Sequence, residues 1–350
     1  MHKQFLLAAL EQARLGLGQC APNPCVGAVA VQNKKIIAQA FHQGAGTPHA
    51  EQLLLAQLEP KMPGVSVYVT LEPCNHWGKT PPCVNALIDY GVEEVVFGFY
   101  DPNPVVARND SSALLKQQGI KVTHFPLHEI DAFYTAYAFW VKTKKPFVMA
   151  KIAQSLDGKI GYPHQRVLLS NELCASFTHT MRAANDLILT TAQTIHCDNP
   201  QMNVRLQEIK AKPVAVIDSL LSLTSTEQIF STASQCHIFH RNDVMPPAKP
   251  LANCTYYPVS YDKKGLQLSE VIKTLGLLGF HSVWVEAGGR VFSRLHEERL
   301  INKTYVYITP SYLGEKAIPA YQNTLFNRKH EVSWQIMGNN VVLCMDWQEE

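Results

Sequence analysis

His49-Ala50-Glu51, followed by Leu71-Glu72-Pro73-Cys74 and then, across Asn75-His76-Trp77-Gly78-Lys79-Thr80-Pro81-Pro82, by Cys83, is the stretch on which the first half of the chain turns. A catalytic Zn²⁺ commonly takes three His or Cys ligands and leaves its fourth position to water, whose pKa the metal lowers toward neutrality. His49, Cys74 and Cys83 supply such a set, and Glu51 is a carboxylate that the metal does not need. In zinc nucleobase deaminases a glutamate so placed moves the proton of the water to the ring and on to the leaving ammonia, within an H-x-E…P-C-x-x-C signature. Here eight residues, 75 to 82, separate the cysteines where that signature has two. A single one of the fourteen histidines is more often an ordinary surface or core residue; the combination carries the reading. A purely structural zinc site would normally close with a fourth Cys or His.

The local pattern supports that placement. Thr47 reads as an N-cap and Pro48 suits a first helical turn, which puts His49 at a helix start. Val65 to Leu71 is alternating and β-branched, a buried strand that delivers Glu72-Pro73-Cys74 at its carboxyl end. Val26 to Ala30 and Lys35 to Ala40 pair around Gln32-Asn33-Lys34, and a helix starts from Pro82. Val92 to Phe99 is a strand, Ser112 to Gln118 a helix, Ile120 to Val122 a short strand and Phe133 to Val141 a helix. This alternation predicts a three-layer α/β/α domain. The Thr143-Lys144-Lys145-Pro146 turn divides the chain into domains 1–144 and 145–350. Beyond it, strands are expected at Pro146 to Lys151, Asp186 to Thr190, Pro213 to Asp218, Cys236 to His240, Ser282 to Glu286 and Thr304 to Thr309.

Composition narrows the partners. At 350 residues and 46% apolar content the chain exceeds one ordinary core. Its net charge is +2 with dispersed basic residues, which argues against nucleic acid and for a small anionic substrate. No run of about eighteen apolar residues predicts a membrane span. Met1 to Phe5 leads into a helical pattern through Leu6, Leu7, Leu10 and Ala13, unlike a signal peptide. Nine irregularly spaced cysteines fit a reducing compartment, so a cytoplasmic location is expected. A homo-oligomer is left open.

Ala21-Pro22-Asn23-Pro24-Cys25-Val26-Gly27, His49-Ala50-Glu51, the run from Leu71 to Cys83 and Asp101-Pro102-Asn103-Pro104 resemble the deaminase half of the bifunctional riboflavin-biosynthesis deaminase/reductase family. The long inter-cysteine loop is the discriminating piece, since transfer-RNA adenosine deaminases and cytidine deaminases share the general fold but typically place two residues there. The resemblance implies a cytidine-deaminase-like domain whose substrate pocket contains Asn23, His42, His76, Lys79 and Asn103. An amide can read a base or ribose, and a lysine can meet a phosphate. Trp77 stands where many relatives carry a second histidine.

Lys151 to Ile160, Met181-Arg182-Ala183, Thr194 followed by Asp198-Asn199-Pro200, and Glu286-Ala287-Gly288-Gly289 resemble the reductase half of the same family. That implies a dihydrofolate-reductase-like α/β domain using NADPH. Lys151, Asp198 and Glu286 are then placed around the ribose, Lys151 as a catalytic group, with Arg182, Met202 and Arg205 as further substrate contacts. Cofactor contacts are implied at Gln154, Leu168, Ser170, Thr194, Asp198, Gly288 and Gly289, the last two ahead of a helix from Val291 to Leu300. Besides Trp77, three places depart from the family's pattern. Arg166 to Ser170 lacks a Ser-x-Trp, Gln154 replaces a commonly small residue, and Ala107-Arg108-Asn109 lacks a glycine.

The reading is therefore a Zn²⁺ and NADPH enzyme for two successive steps on a pyrimidine nucleotide. It would deaminate 2,5-diamino-6-ribosylamino-4(3H)-pyrimidinone 5′-phosphate and then reduce ribosyl to ribityl. Two alternatives stand beside it: a deaminase with an inactive reductase-like domain, and a transfer-RNA-editing deaminase, which the long loop and the absence of a basic stripe oppose.

Overall fold

The computed structural model describes residues 1–77, 81–104, 110–163, 167–322 and 326–348. Lys79 and the departures at 107–109 and Arg166 lie outside the described residues. The chain divides into two compact units, Met1–Lys144 and Lys145–Glu350.

The first unit contains α1 (His2–Leu15), β1 (Gly27–Gln32), β2 (Lys35–Phe41), α2 (Ala50–Leu55), β3 (Ser66–Leu71), α3 (Cys83–Tyr90), β4 (Glu94–Phe99), α4 (Ser111–Gln117), β5 (Lys121–His124) and α5 (His128–Thr143). The strands lie in the order β2-β1-β3-β4-β5. β1 is antiparallel to β2 and β3, whereas β3, β4 and β5 run parallel. Asn33 and Lys34 both adopt left-handed backbone, φ 51° and 64°, which fits the tight β1–β2 hairpin. Along β1, Ala28 and Ala30 face Leu54, Val84 and Leu115 of α2, α3 and α4, while Val29 and Val31 face Leu6, Leu10 and Ile130 of α1 and α5. The sheet is thus covered on both sides, as its parallel part requires. Gly27 permits the closest approach in this unit: a Cβ there would lie 2.1 Å from the Ala9 carbonyl oxygen of α1.

Two local expectations change. The helix near the predicted zinc site begins at Ala50, with His49 in extended backbone as the residue before it. Its first turn is closed by the Gln52 side chain, which accepts the His49 N–H at 3.3 Å, while the Thr47 hydroxyl donates back to Gly44 O at 2.7 Å. α5 starts at His128, five residues before the apolar pattern indicates. Its first turn is polar, and Glu129 and Asp131 there complement the helix dipole.

The second unit contains β6 (Phe147–Gln154), α6 (Glu172–Ala184), β7 (Leu187–Thr191), α7 (Ala192–Asp198), β8 (Pro213–Ile217), β9 (Gln235–Arg241), β10 (Cys254–Val259), α8 (Leu268–Leu277), β11 (Ser282–Glu286), α9 (Gly289–Glu297), β12 (Lys303–Ile308), β13 (His330–Met337) and β14 (Asn340–Trp347). They build a nine-stranded sheet in the order β10-β9-β8-β7-β11-β6-β12-β14-β13. From β10 to β12 every pair is parallel, and the β13–β14 hairpin adds two antiparallel strands. Parallel strands are buried on both faces. Val271, Leu275, Phe292 and Leu295 of α8 and α9 cover one face here, and Ile195 and Ile229 cover part of the other.

Candidate functional site

β1 runs antiparallel to β3, so the residues entering β1 lie at the end where β3 and β4 finish. His49 before α2, Cys74 after β3 and Cys83 opening α3 converge at that end. Their ligand atoms all lie within 4.8 Å of one another, the one such group among the described residues. His49 Nδ1 is 3.2 Å from Cys83 Sγ and 3.4 Å from Cys74 Sγ. Tetrahedral Zn–N and Zn–S bonds of about 2.0 and 2.3 Å separate such atoms by roughly 3.5 Å, so the donor set fits Zn²⁺ in type and spacing.

Glu51 is 4% exposed and lies beside Cys83. Burial, reinforced by Cys74 and opposed by His49, pushes its carboxyl up to about 7. Hydrogen bonds from Cys83 and His49 hold the Cys74 thiol down at about 4 against its burial.

Around this cluster, Asn23 Nδ2 donates to His42 Nε2 at 3.1 Å, and His42 Nδ1 donates to Pro48 O at 3.1 Å. These partners require a neutral His42, whose pKa burial lowers; the Pro48 carbonyl opposes that shift and His49 adds to it. The His42 and His49 rings meet edge to face with centroids 5.4 Å apart. His76 Nδ1 is buried with no hydrogen-bond partner among the described residues. The Asn103 N–H donates to Asp101 Oδ1 at 2.8 Å. Asp101 itself is a residue to which the sequence assigned no role. It is quoted within Asp-Pro-Asn-Pro, but its buried partner Tyr137 lies 36 positions away, beyond any local signal.

In the second unit, β7, β11 and β6 are adjacent parallel strands, and their carboxyl ends form the usual ligand edge of an α/β sheet. Lys151 and Glu286 are register partners across β6 and β11. Lys151 Nζ lies 5.2 Å from the centroid of the Tyr307 ring. Burial lowers the Lys151 pKa; Glu286 opposes this and Arg182 adds to it. Burial alone would raise the Glu286 carboxyl, but Arg182, Lys151 and Trp284 hold it down at about 2.

Two of the expected substrate contacts are engaged within the unit. Arg182 does not present a free fork for phosphate: Nε and Nη2 donate to the two Glu286 oxygens at 2.6 and 2.9 Å, and Nη1 donates to Asn203 O at 2.9 Å. A buried guanidinium needs a counter-charge, and Glu286 supplies it. Met202 is 2% exposed, with its sulfur 3.7 Å from Arg182 Nη2. Arg205, by contrast, lines a cavity of about 880 Å³ together with Ser176, His179 and Lys210.

Among the expected cofactor contacts, Gln154 Oε1 at the end of β6 is buried without a partner among the described residues. An unpaired amide oxygen there suits a carboxamide donor such as that of nicotinamide. Thr194 shares a hydroxyl contact of 3.0 Å with Thr191 at the start of α7, and Asp198 is exposed at the far end of that helix. Ser170 is half-buried and Leu168 is 81% exposed. A Cβ at Gly288, before α9, would meet nothing within 4 Å, whereas one at Gly289 would lie 2.5 Å from Ala320 O. Gly288 therefore borders open space, and Gly289 is required for packing within the unit.

Comparison with known proteins agrees with this arrangement. Residues 1–99 match the cytidine and deoxycytidylate deaminase zinc-binding region, and residues 146–343 match the RibD C-terminal domain. The riboflavin biosynthesis protein RibD of Haemophilus influenzae is 33% identical over 333 residues, covering 89% of this chain and 87% of that one. The Aquifex aeolicus RibD is 30% identical and covers 97% of both. The solved structure of Acinetobacter baumannii RibD superposes with a TM-score of 0.87 at 27% identity over 99% of each chain. A Thermotoga maritima diaminohydroxyphosphoribosylaminopyrimidine deaminase/5-amino-6-(5-phosphoribosylamino)uracil reductase gives the same TM-score, identity and coverage. The chain belongs to the RibD family of bifunctional riboflavin biosynthesis enzymes, a zinc-binding deaminase unit followed by a reductase unit.

Proposed function

We propose that the first unit deaminates 2,5-diamino-6-ribosylamino-4(3H)-pyrimidinone 5′-phosphate and that the second reduces the ribosyl group of the product to ribityl with NADPH. The convergence of His49, Cys74 and Cys83 beside the buried Glu51 carries the reading. Zn²⁺, when bound, supplies the Lewis acidity that makes water nucleophilic at neutral pH. Glu51 takes the proton released and returns it to the ring nitrogen and the departing ammonia. Asn23 with His42 forms one wall of the pocket, Asn103 the other, and the unmatched His76 Nδ1 faces a polar ligand group. Lys79 is assigned to the substrate phosphate.

In the second unit NADPH supplies hydride. Gln154 Oε1 orients the carboxamide, and Thr194, Asp198, Ser170, Leu168 and the Gly288-Gly289 segment complete the cofactor contacts. Lys151, made more acidic by burial and kept charged by Glu286, gives a proton to the ribose oxygen as the ring opens. Arg205 meets the phosphate, and Arg182 acts by holding Glu286. Supplying the purified protein with the diaminopyrimidine nucleotide and NADPH tests both steps in one cuvette. Ammonia release followed by loss of NADPH absorbance is expected. Ammonia without NADPH loss would select the deaminase with an inactive second unit, and neither signal would overturn the substrate assignment.

A homo-oligomer through β13 extends this reading. Val332, Trp334 and Ile336 on this edge strand are 47%, 62% and 80% exposed. Antiparallel pairing of two copies about Trp334 would set Val332 against Ile336, matching apolar to apolar without opposing like charges. Trp334→Glu should lower the mass measured by light scattering, and an unchanged mass would rule this edge out. A cytoplasmic location belongs to the same proposal, supported by nine cysteines of which none is in a disulfide. No helix among the described residues is long and apolar enough to cross a membrane.

A further inference from the structure

We propose that Tyr134 and Tyr137, three residues apart on α5, are positioning residues for the deaminase pocket, each phenol holding one of the two loops that carry the asparagines Asn23 and Asn103. The assignment rests on the reading of the first unit as a pyrimidine nucleotide deaminase. An i, i+3 spacing puts both side chains on one helical face, and they are 1% and 6% exposed.

The first contact is a chain of four groups. Gly27 N–H donates to Thr70 Oγ1 at 3.1 Å, Thr70 Oγ1 lies 2.7 Å from the Tyr134 hydroxyl, and that hydroxyl donates to Cys25 O at 2.9 Å. Because the Tyr134 proton goes to the carbonyl, the Thr70 hydroxyl donates to Tyr134. The segment entering β1 is thereby held at Cys25 and Gly27, two and four residues beyond Asn23.

The second contact is a chain of three groups. Tyr137 donates to Asp101 Oδ1 at 3.1 Å, and the same oxygen accepts the Asn103 N–H at 2.8 Å. The segment leaving β4 is therefore held at the residue that positions Asn103. β1 and β4 flank β3, and both segments emerge at the zinc end of the sheet. A rigid phenol fixes the distance from helix to loop, so one helix sets the separation of the two amides. Packing alone does not require the hydroxyls, since a phenylalanine ring fills the same space against Phe99 and Phe133 at position 134 and against Tyr134 and Trp140 at position 137.

The test uses full-length zinc-loaded protein carrying Tyr134→Phe or Tyr137→Phe, each alone and combined with Asn23→Ala or Asn103→Ala, with ammonia release as the readout. Each tyrosine substitution should raise the deaminase KM about five- to tenfold, as loss of one positioning hydrogen bond predicts, while kcat and zinc content stay within about twofold. The Tyr137→Phe effect should vanish in the Asn103→Ala background and persist with Asn23→Ala, and Tyr134→Phe should show the reverse. An unchanged KM, an equal penalty in both backgrounds, or a fall in zinc content with KM preserved would overturn the assignment. A wild-type chain that releases no ammonia would instead overturn the deaminase reading beneath it.

Discussion

Arg182 and Glu286 stand 104 residues apart in sequence and meet as a buried two-point ion pair, with Nε and Nη2 of the guanidinium each donating to one carboxylate oxygen. Both side chains are only about a tenth exposed, at 10% and 11%. The pair sits at the carboxyl end of β11, directly beside Lys151 of β6. It therefore links the stability of the second unit to the charge state of its proposed catalytic lysine.

Breaking that pair should be costlier than deleting it. Arg182→Met leaves a buried carboxylate and should destabilise the second unit by about 3 kcal/mol, whereas Arg182→Met with Glu286→Met should recover most of the loss. Urea unfolding of Arg182→Met, Glu286→Met and the double variant decides this. A double variant as unstable as the sum of the single ones would show that the two residues act independently.

Acid should reveal the same pair. Glu286 is held at about 2, below the ordinary 4.5 of its carboxyl. A depressed carboxylate stabilises the fold above its unfolded value, and the contribution is lost as pH falls toward the folded value. The stability advantage of wild type over Glu286→Gln should thus be full above about pH 5 and shrink steadily between pH 4.5 and 2. Denaturation curves at a series of pH values check it, and a constant difference would contradict the ion pair's role.

Glu51→Gln should keep zinc at one equivalent by metal analysis and slow ammonia release by about 10²- to 10⁴-fold, the usual worth of a positioned proton carrier. NADPH oxidation with the deaminated nucleotide supplied directly should be unaffected. Ammonia release at the wild-type rate would remove Glu51 from the proton path.

Gln154→Leu replaces a buried amide whose oxygen has no partner among the described residues. Without cofactor the variant should be as stable as wild type or more so, because an unpaired polar atom is costly to bury. Its Kd for NADPH, followed by quenching of the nicotinamide fluorescence, should rise about tenfold, equivalent to about 1.4 kcal/mol. Unchanged affinity would place the carboxamide elsewhere.

Much of the fold was legible because its signals are local. Alternation along Val65 to Leu71 and the Ser282 to Glu286 run marks strands buried on both faces, and the structure has strands at 66–71 and 282–286. β13 went unread because it is an edge strand with no buried face: six consecutive residues of it are exposed, so its apolar and polar residues carry no inside-outside contrast. The α5 start was missed for a related reason, since its first turn is stabilised by charge rather than by apolar contact.

Sequence by itself determined the chemistry on offer: the donor types His49, Cys74 and Cys83, the spare carboxylate of Glu51, and the order of a deaminase unit before a reductase unit. The donor set is a property of residue type and short spacing, and the order of the two units is what the resemblance to the family implies. Only the tertiary structure decided who partners whom. It made Arg182 the counter-ion of Glu286, set the buried Met202 sulfur 3.7 Å from that guanidinium, and brought two tyrosines of α5 to the loops of Asn23 and Asn103. A charge or a hydroxyl carried into the interior must find a partner there, and that partner is chosen by the packing of elements far apart in the chain.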